Sequence, residues 1–352
     1  MSPREKRPIL EPWPIEALPG EGFRKRQIAH WIYKRGAREF EEMTDLPRAL
    51  RRELEEAWRV SEFDLVQAFP SADGSVKYLF TLKDGKQTEA VYLPYKDRKT
   101  VCLSSQVGCP VGCTFCATGA LGFGRNLTPW EILDQLLAIA HHQGLAPTEI
   151  RNVVLMGMGE PLLNLEAVST AVRRMIDKNA LGMSPRRITL STVGIPKGIR
   201  RLAEEDLGVK LALSLHAPDD ETRRKIIPTA KAYPVEAIMD AVADYFKKTK
   251  RRVTFEYVML KGLNDAPRQA REVARLIKGR RIVAHVNLIP FNPWEGAPVE
   301  GTPRDGIRRF ARVLEEEGIP TTVRWSRGVD VGAACGQLAL KEVGPLAFHP
   351  RR

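Results

Sequence analysis

From Lys99 onward the chain alternates short apolar runs with longer stretches whose apolar positions recur every three or four residues. The runs KTVCLSS, IRNVVLMG, RRITLSTV, VKLALSLH, RVTFEYVML and IVAHVNLIP are rich in β-branched residues, and they read as buried strands. Between them, WEILDQLLAIAHHQ, LEAVSTAVRRMID, PKGIRRLAEE, PVEAIMDAVADYFKK and PRQAREVARLIKG read as helices, and a last helix, GIRRFARVLEEEG, follows the sixth strand. Six such β-α units imply a parallel sheet covered by helices. They fall short of the eight that close a barrel, so the expected fold is α/β, a partial (βα)6 barrel with its chemistry at the C-terminal strand ends.

The first ninety residues follow other periods. FRKRQIAHWIYKRG places Phe23, Ile28, Trp31 and Ile32 near helical spacing, with Arg24, Lys25, Arg26, Lys34 and Arg35 on the remaining surface. A second helix is expected through LRRELEEAW, capped by Thr44 or Asp45 with Pro47 close to its first turn. Such small basic helical units suit an RNA backbone, and a solvated charged face gives the same pattern. From Phe63 to Leu93, Asp73-Gly74 and Asp84-Gly85 mark hairpin turns between strands such as VKYLFTL and TEAVYLP. The expected organisation is therefore a small helical N-terminal domain (1–62), a short β extension (63–94), the barrel core (95–330) and a C-terminal segment (331–352).

Of the 352 residues, 43% are apolar and 28% charged, ordinary for a globular protein. No run of 18 apolar residues suggests a membrane span, and MSPREKRPILEPWP has no hydrophobic signal region, so a cytoplasmic location is expected. In that reducing compartment five cysteines point to chemistry or metal binding and away from a disulfide framework. Lys and Arg number 55 against 43 Asp and Glu, a net charge of +12, which fits a polyanion partner or simply a soluble basic surface.

Three of the cysteines, Cys109, Cys113 and Cys116, stand as C-x3-C-x2-C in GCPVGCTFC, on a loop that follows the first strand. A structural zinc site closes its tetrahedron with four protein ligands. A cubane cluster takes one thiolate per iron, so three thiolates leave one iron open to a small molecule. Zinc would have to borrow Cys102 in an irregular C-x6-C-x3-C-x2-C, unlike the paired C-x2-C of zinc sites. The segment from Val101 to Leu127 resembles the cluster loop of the radical S-adenosylmethionine (SAM) superfamily, which implies a [4Fe–4S] cluster on those three thiolates with SAM on the open iron. After the second strand comes MGMGEPLLN, similar to that superfamily's GGEP-like segment, which implies that Gly159 and Glu160 bind SAM. Ser191 in LSTVG, Ser214, Leu215 and His216 in LSLHAP, and Asn292 in IPFNPW end three further strands and should ring the barrel mouth with hydrogen-bonding groups. Singly, each would pass as a turn or capping residue. His141 and His142 fall in a helix, and no histidine pair has metal-ligand spacing. Cys102 and Cys335 would pass as small buried hydrophobes, although the Gly/Ala-rich surroundings of Cys335 suit a mobile loop.

Taken together, CLSSQVGCPVGCTFCATGALGF, MGMGEPLLN, SLHAP, NLIPFNPWEGAP and SRGVDVGAACGQLA are similar to the RlmN/Cfr family of radical SAM RNA methyltransferases, over about residues 20 to 345. The resemblance implies methylation at C2 of an adenosine in 23S rRNA at the peptidyl-transferase centre and, with less force, of the adenosine 3′ of the anticodon in some tRNAs. The intact MGMGEPLLN favours C2 over the family's alternative, C8. Adenine C2 lies between two ring nitrogens and is too electron-poor to attack the SAM methyl, so a radical route is required. The resemblance further implies that Cys335 takes a methyl from one SAM as a thiolate nucleophile. A second SAM is cleaved reductively, and the radical formed removes a hydrogen from that S-methyl group, whose carbon then adds to the ring. Cys102 attacks the Cys335 sulfur, leaving a disulfide that external thiols reduce. Glu89 in QTEAVYLP matches the family's proton acceptor; exposed glutamates on strands are also common. An external electron donor such as flavodoxin or ferredoxin and a monomeric state are expected. A non-catalytic Fe–S or zinc RNA-binding factor would need neither Cys102 nor Cys335, and a radical SAM maturase acting on protein would not need the basic charge.

Overall fold

The computed structural model describes residues 6–340. One ten-stranded sheet organises them. Seven parallel strands, Arg98–Cys102, Asn152–Leu155, Ile188–Thr192, Lys210–Ser214, Val253–Met259, Ala284–Pro290 and Thr321–Val323, lie side by side in chain order. The six expected strands are all present, and the seventh, only three residues long, carries too little pattern to be read from sequence. The helices Pro129–His142, Leu165–Ile176, Pro196–Glu204, Val235–Thr249, Pro267–Gly279 and Arg304–Glu316 connect the strands, and a short helix, Asp220–Ile226, adds to them. Local chemistry fixes the first of these. Thr128 accepts from Glu131 N at 3.1 Å, Glu131 accepts from Thr128 N at 2.8 Å, and Pro129 opens the turn.

The strands of the expected β extension continue this sheet. Phe63–Pro70, Val76–Leu82 and Gln87–Tyr95 pair antiparallel in sequence order, and Val91 faces Cys102 where the last of them joins the parallel part. Opposed residues share a face, so Lys77, Glu89, Val91 and Cys102 all point to one side.

The sheet does not close on itself. The chain after Val323 crosses from one edge to the other. Arg327 donates to Pro94 O and Asp73 O, Gly328 N donates to Asp73 Oδ2 at 2.8 Å, and Asp330 accepts from Ser71 Oγ at 2.5 Å and Ala72 N at 3.0 Å. Gly328 has φ +68°, and a Cβ there would stand 2.6 Å from Ala333 Cβ, so this crossing requires glycine. Residues 341–352, the end of the expected C-terminal segment, lie outside the described residues.

The N-terminal helices Arg24–His30 and Arg48–Ala57 form where expected, the first running on as a π-turn through Arg35. Neither Thr44 nor Asp45 caps the second: Pro47 holds the N-cap position without a side-chain bond, and Asp45 instead accepts from Trp31 Nε1 at 2.6 Å. This unit packs on the outside of the barrel. Arg174 donates to Tyr33 Oη at 2.8 Å and to Leu10 O at 3.0 Å, Arg38 pairs with buried Asp134, and Glu62 N donates to Asp134 Oδ2 at 2.8 Å. Among the described residues, no helix is long and apolar enough to cross a membrane.

Candidate active site

The parallel strands aim their C-terminal ends at one cavity. Cys109, Cys113, Cys116, Gly159, Glu160, Ser191, Ser214, His216, Asn292 and Cys335 all line it. Residues from five strand ends and the C-terminal loop thus meet although they are spread over more than two hundred positions.

The cysteine loop is fixed at several points. Cys109 N donates to Gly122 O at 2.7 Å, Thr114 N to Ile226 O at 3.0 Å, and Ala117 N to Gly336 O at 2.7 Å. Burial raises all three thiols, Cys109 to about 12 and Cys113 well above its usual range, as expected for uncharged thiols in an apolar wall. Backbone N–H groups oppose this. Those of Val111 and Gly159 are directed at the Cys109 sulfur, and those of Thr118 and Gly119 at Cys116. Such donors favour a thiolate. Among the described residues, no three His, Cys, Asp or Glu side chains converge as ligands of a single ion do.

Gly159 approaches the first strand's loop closely. At φ +105° a Cβ would stand 2.7 Å from Gln106 Cβ, so only glycine lets Glu160 N donate to Gln106 Oε1 at 2.8 Å. The buried Glu160 carboxylate accepts from Leu162 N at 3.0 Å and Val193 N at 2.8 Å, while burial lifts it to about 6.

Ser191 and Ser214 hydroxyls lie 3.4 Å apart. His216 sits at φ +58°, edge-on to Phe115, and its Nδ1 accepts from Val258 N at 3.0 Å. The ring proton is therefore on Nε2, and burial holds the imidazole neutral, down to about 3. Leu215 does not reach the cavity. It is fully buried in the core, its N–H is taken by Leu213 O and Glu256 O, and its carbonyl by Arg223. Asn292 Nδ2 donates to Cys335 O at 3.0 Å, tying the C-terminal loop to the sixth strand end.

Cys335 is exposed on that loop and also lines a smaller cavity whose wall includes Cys102, Cys116 and Arg324. Both cysteines are free thiols, so the disulfide implied by the sequence is not part of this state. Cys102 is enclosed at a strand end, where burial raises it to about 12. Glu89 lines neither cavity. It is fully buried, 3.0 Å from Lys77 Nζ, and accepts from Leu340 N at 3.1 Å. His141 and His142 are exposed at their helix end.

Sequence reasoning missed Arg324 and Glu256, both of which line the main cavity. Arg324 follows the short strand that went unrecognised. Glu256 left a signal, a lone carboxylate inside the apolar run of RVTFEYVML; it is buried, accepts from Asn287 Nδ2 at 3.1 Å and is raised by burial.

A parallel partial barrel with a three-cysteine loop and a Gly-Glu pair at adjacent strand ends defines a radical SAM enzyme, and the model of the radical SAM superfamily matches residues 103–275. The model of the ribosomal RNA large subunit methyltransferase N-terminal domain matches residues 11–60. The probable dual-specificity RNA methyltransferase RlmN of Thermus thermophilus is 73% identical over 344 residues, covering 98% of this chain and 96% of that protein. The corresponding protein of Deinococcus deserti is 56% identical, covering 94% of this chain and 96% of its own. A crystal structure of a radical SAM methyltransferase from Sphaerobacter thermophilus superposes with a TM-score of 0.85 at 45% identity, covering 90% of this chain and 92% of that one. The chain belongs to the RlmN family of dual-specificity RNA methyltransferases.

Proposed function

We propose that this chain methylates C2 of an adenosine in 23S rRNA and of the adenosine 3′ of the anticodon in some tRNAs, with the new carbon carried on Cys335. The observation that supports this most directly is the meeting of three thiols, Glu160 and Cys335 on one cavity. Cys109, Cys113 and Cys116 would hold a [4Fe–4S] cluster; the Cys109 and Cys116 sulfurs already face backbone donors suited to thiolates. Glu160, with Gly159, would receive the SAM amino group, and Ser191, Ser214, His216 and Asn292 would line the rest of the SAM site. When bound, the cluster and SAM supply a transferable methyl group and, after one-electron reduction by an external donor, a hydrogen-abstracting carbon radical.

Cys335 would lose its proton and form a sulfur–carbon bond to the methyl group as that carbon's bond to the donor sulfonium breaks and the donor leaves as a neutral thioether. Its exposed loop position lets it present that carbon to a base lying over the cavity. Once that carbon is bonded to the base, Cys102, lining the smaller cavity with Cys335, would lose its proton and form a sulfur–sulfur bond as the sulfur–carbon bond breaks, and the product carbon leaves on the base with the bonding pair and takes up a proton. An external dithiol returns the two electrons needed to restore both thiols. Glu89 would take the C2 proton, which requires that Leu340 give up its bond to the carboxylate. Neutral His216 bears its ring proton on Nε2 and can donate a hydrogen bond without adding charge.

The N-terminal unit and the basic surface would engage RNA backbone. The test is mass spectrometry of nucleosides from rRNA and tRNA of cells carrying the unaltered chain, Cys335→Ala, or no copy. 2-Methyladenosine in both RNAs only with the unaltered chain is expected. The 8-methyl isomer in its place would overturn the regiochemistry, and unchanged nucleosides would overturn the reading.

A further inference from the structure

Among the described residues the largest fully buried side chain is an arginine, Arg223, only 1% exposed. It sits in the short helix Asp220–Ile226, whose end accepts from Thr114 of the cysteine loop. Its Nε donates to Leu215 O at 3.1 Å, and Nη2 donates to Val193 O. Both partners are neutral carbonyls, and among the described residues it forms no ion pair. Burying a charge is costly unless an opposite charge compensates it. Arg51, Arg125 and Arg280 take carboxylates, and among the described residues the other buried arginine, Arg174, lies over the Trp13 ring; Arg223 is enclosed with neither.

The surroundings name what is missing. Cys113 packs in the same apolar cluster as Ile226 of the Arg223 helix; burial lowers Arg223 to about 10, and a thiolate at Cys113 would offset this most, ahead of Asp220 and Glu160. Its two carbonyl bonds also brace the strand-end loops that matter most. Val193 is the residue whose N–H holds Glu160, and Leu215 lies between Ser214 and His216.

We infer that Arg223 is the built-in counter-charge of the cluster site: its guanidinium balances the negative charge that three thiolates and a reduced cluster bring into this wall. Arg223 does not line the cavity, so the role inferred for it is that of a positioning and tuning residue. The inference rests on the reading that Cys109, Cys113 and Cys116 hold a cluster. A fixed positive charge beside the cluster favours the reduced form, which carries one more electron, over the oxidised form.

The experiment uses the full chain purified anaerobically, with Arg223→Gln, Arg223→Met and Arg223→Lys. Cluster reduction is followed by dye-mediated titration and electron paramagnetic resonance, iron and sulfide are quantified, and thermal melting of the cluster-free protein reports folding. At the potential that half-reduces the unaltered protein, the reduced signal should fall several-fold in whichever neutral variant folds. Arg223→Lys, which keeps the charge and loses the fork, should stay near the unaltered value. A folded neutral variant that loses iron and sulfide while Arg223→Lys retains them carries the same meaning. Equal potentials in all variants, or equal shifts in Lys and a neutral variant, would overturn the inference. Unaltered protein without iron and sulfide would instead sink the cluster reading on which it stands.

Discussion

Lys77 and Glu89 meet at 3.0 Å inside the protein, on adjacent antiparallel strands, with side chains only 2% and 0% exposed. Lys77 also lies over the Phe69 ring, 5.1 Å from its centre. Breaking a buried pair by removing one partner leaves an uncompensated charge. Lys77→Met should therefore destabilise the protein by about 3–5 kcal/mol, and adding Glu89→Gln should recover most of that. Urea unfolding of the two single variants and the double variant measures it. The double variant also isolates the chemistry. If it folds well yet no longer methylates RNA, Glu89 does more than balance Lys77; full activity would leave it a structural partner only.

The two cysteines outside the cluster loop should fail at different stages. Cys335→Ala blocks transfer before any bond to RNA forms. Cys102→Ala still accepts the methyl group on Cys335 and adds to the base, so a covalent protein–RNA adduct should accumulate and survive denaturation. Nuclease digestion should trim it to one modified nucleotide on Cys335, seen by mass spectrometry. An adduct in neither variant would rule out the covalent route.

Glu62 gives a pH signature for the junction between the N-terminal unit and the barrel. It is 3% exposed, and burial raises it from 4.5 to about 7, against the pull of Arg59. Between those values the folded protein binds the proton and the unfolded chain does not. Its contribution is therefore fully present below about 4.5 and lost as pH rises through about 7. Relative to Glu62→Gln, the unaltered protein should lose on the order of 2 kcal/mol of stability from pH 4.5 to pH 8. Denaturant melts of both proteins across that range check it, and parallel curves would contradict the assignment.

Arg26 and Arg35 are the exposed cations of the first helical unit, whereas Arg24 is tied to Asp45 O and Gln27, and Lys25 to Glu16 O. Reversing charge at Arg26 and Arg35 should weaken RNA binding and lower the slope of log affinity against log salt by about 0.7–0.9 per lost phosphate contact. SAM cleavage without RNA should not change. An unaltered slope would make these helices a structural element.

Six strands, their helices and the cysteine loop were legible because burial on both faces leaves long apolar runs that turns interrupt cleanly. What escaped notice had too little chain to carry a pattern. Thr321–Val323 spans one residue more than a single pleat repeat, and with it went Arg324. Arg223 reads as part of a charged surface run, DDETRRKI, because seven residues cannot display a buried face. In the sequence Ser214-Leu215-His216 reads as one unit at a strand end; strand alternation and the turn at His216 send the leucine into the core and its neighbours to the cavity. The capping expectation at Thr44 or Asp45 lost to Trp31, which claims the Asp45 carboxylate.

The chain that crosses the gap in the sheet, pinned at Asp73 and Ser71 on one side and through Asn292 on the other, is the same chain that carries Cys335. If Cys335 carries the methyl group as proposed, strap and carrier are one piece. Any movement that widened the opening enough to admit a folded RNA would displace that sulfur. Delivery of the methyl group would thereby be linked to how far the opening has closed around its guest, and loose or partial occupants would find the carrier out of position.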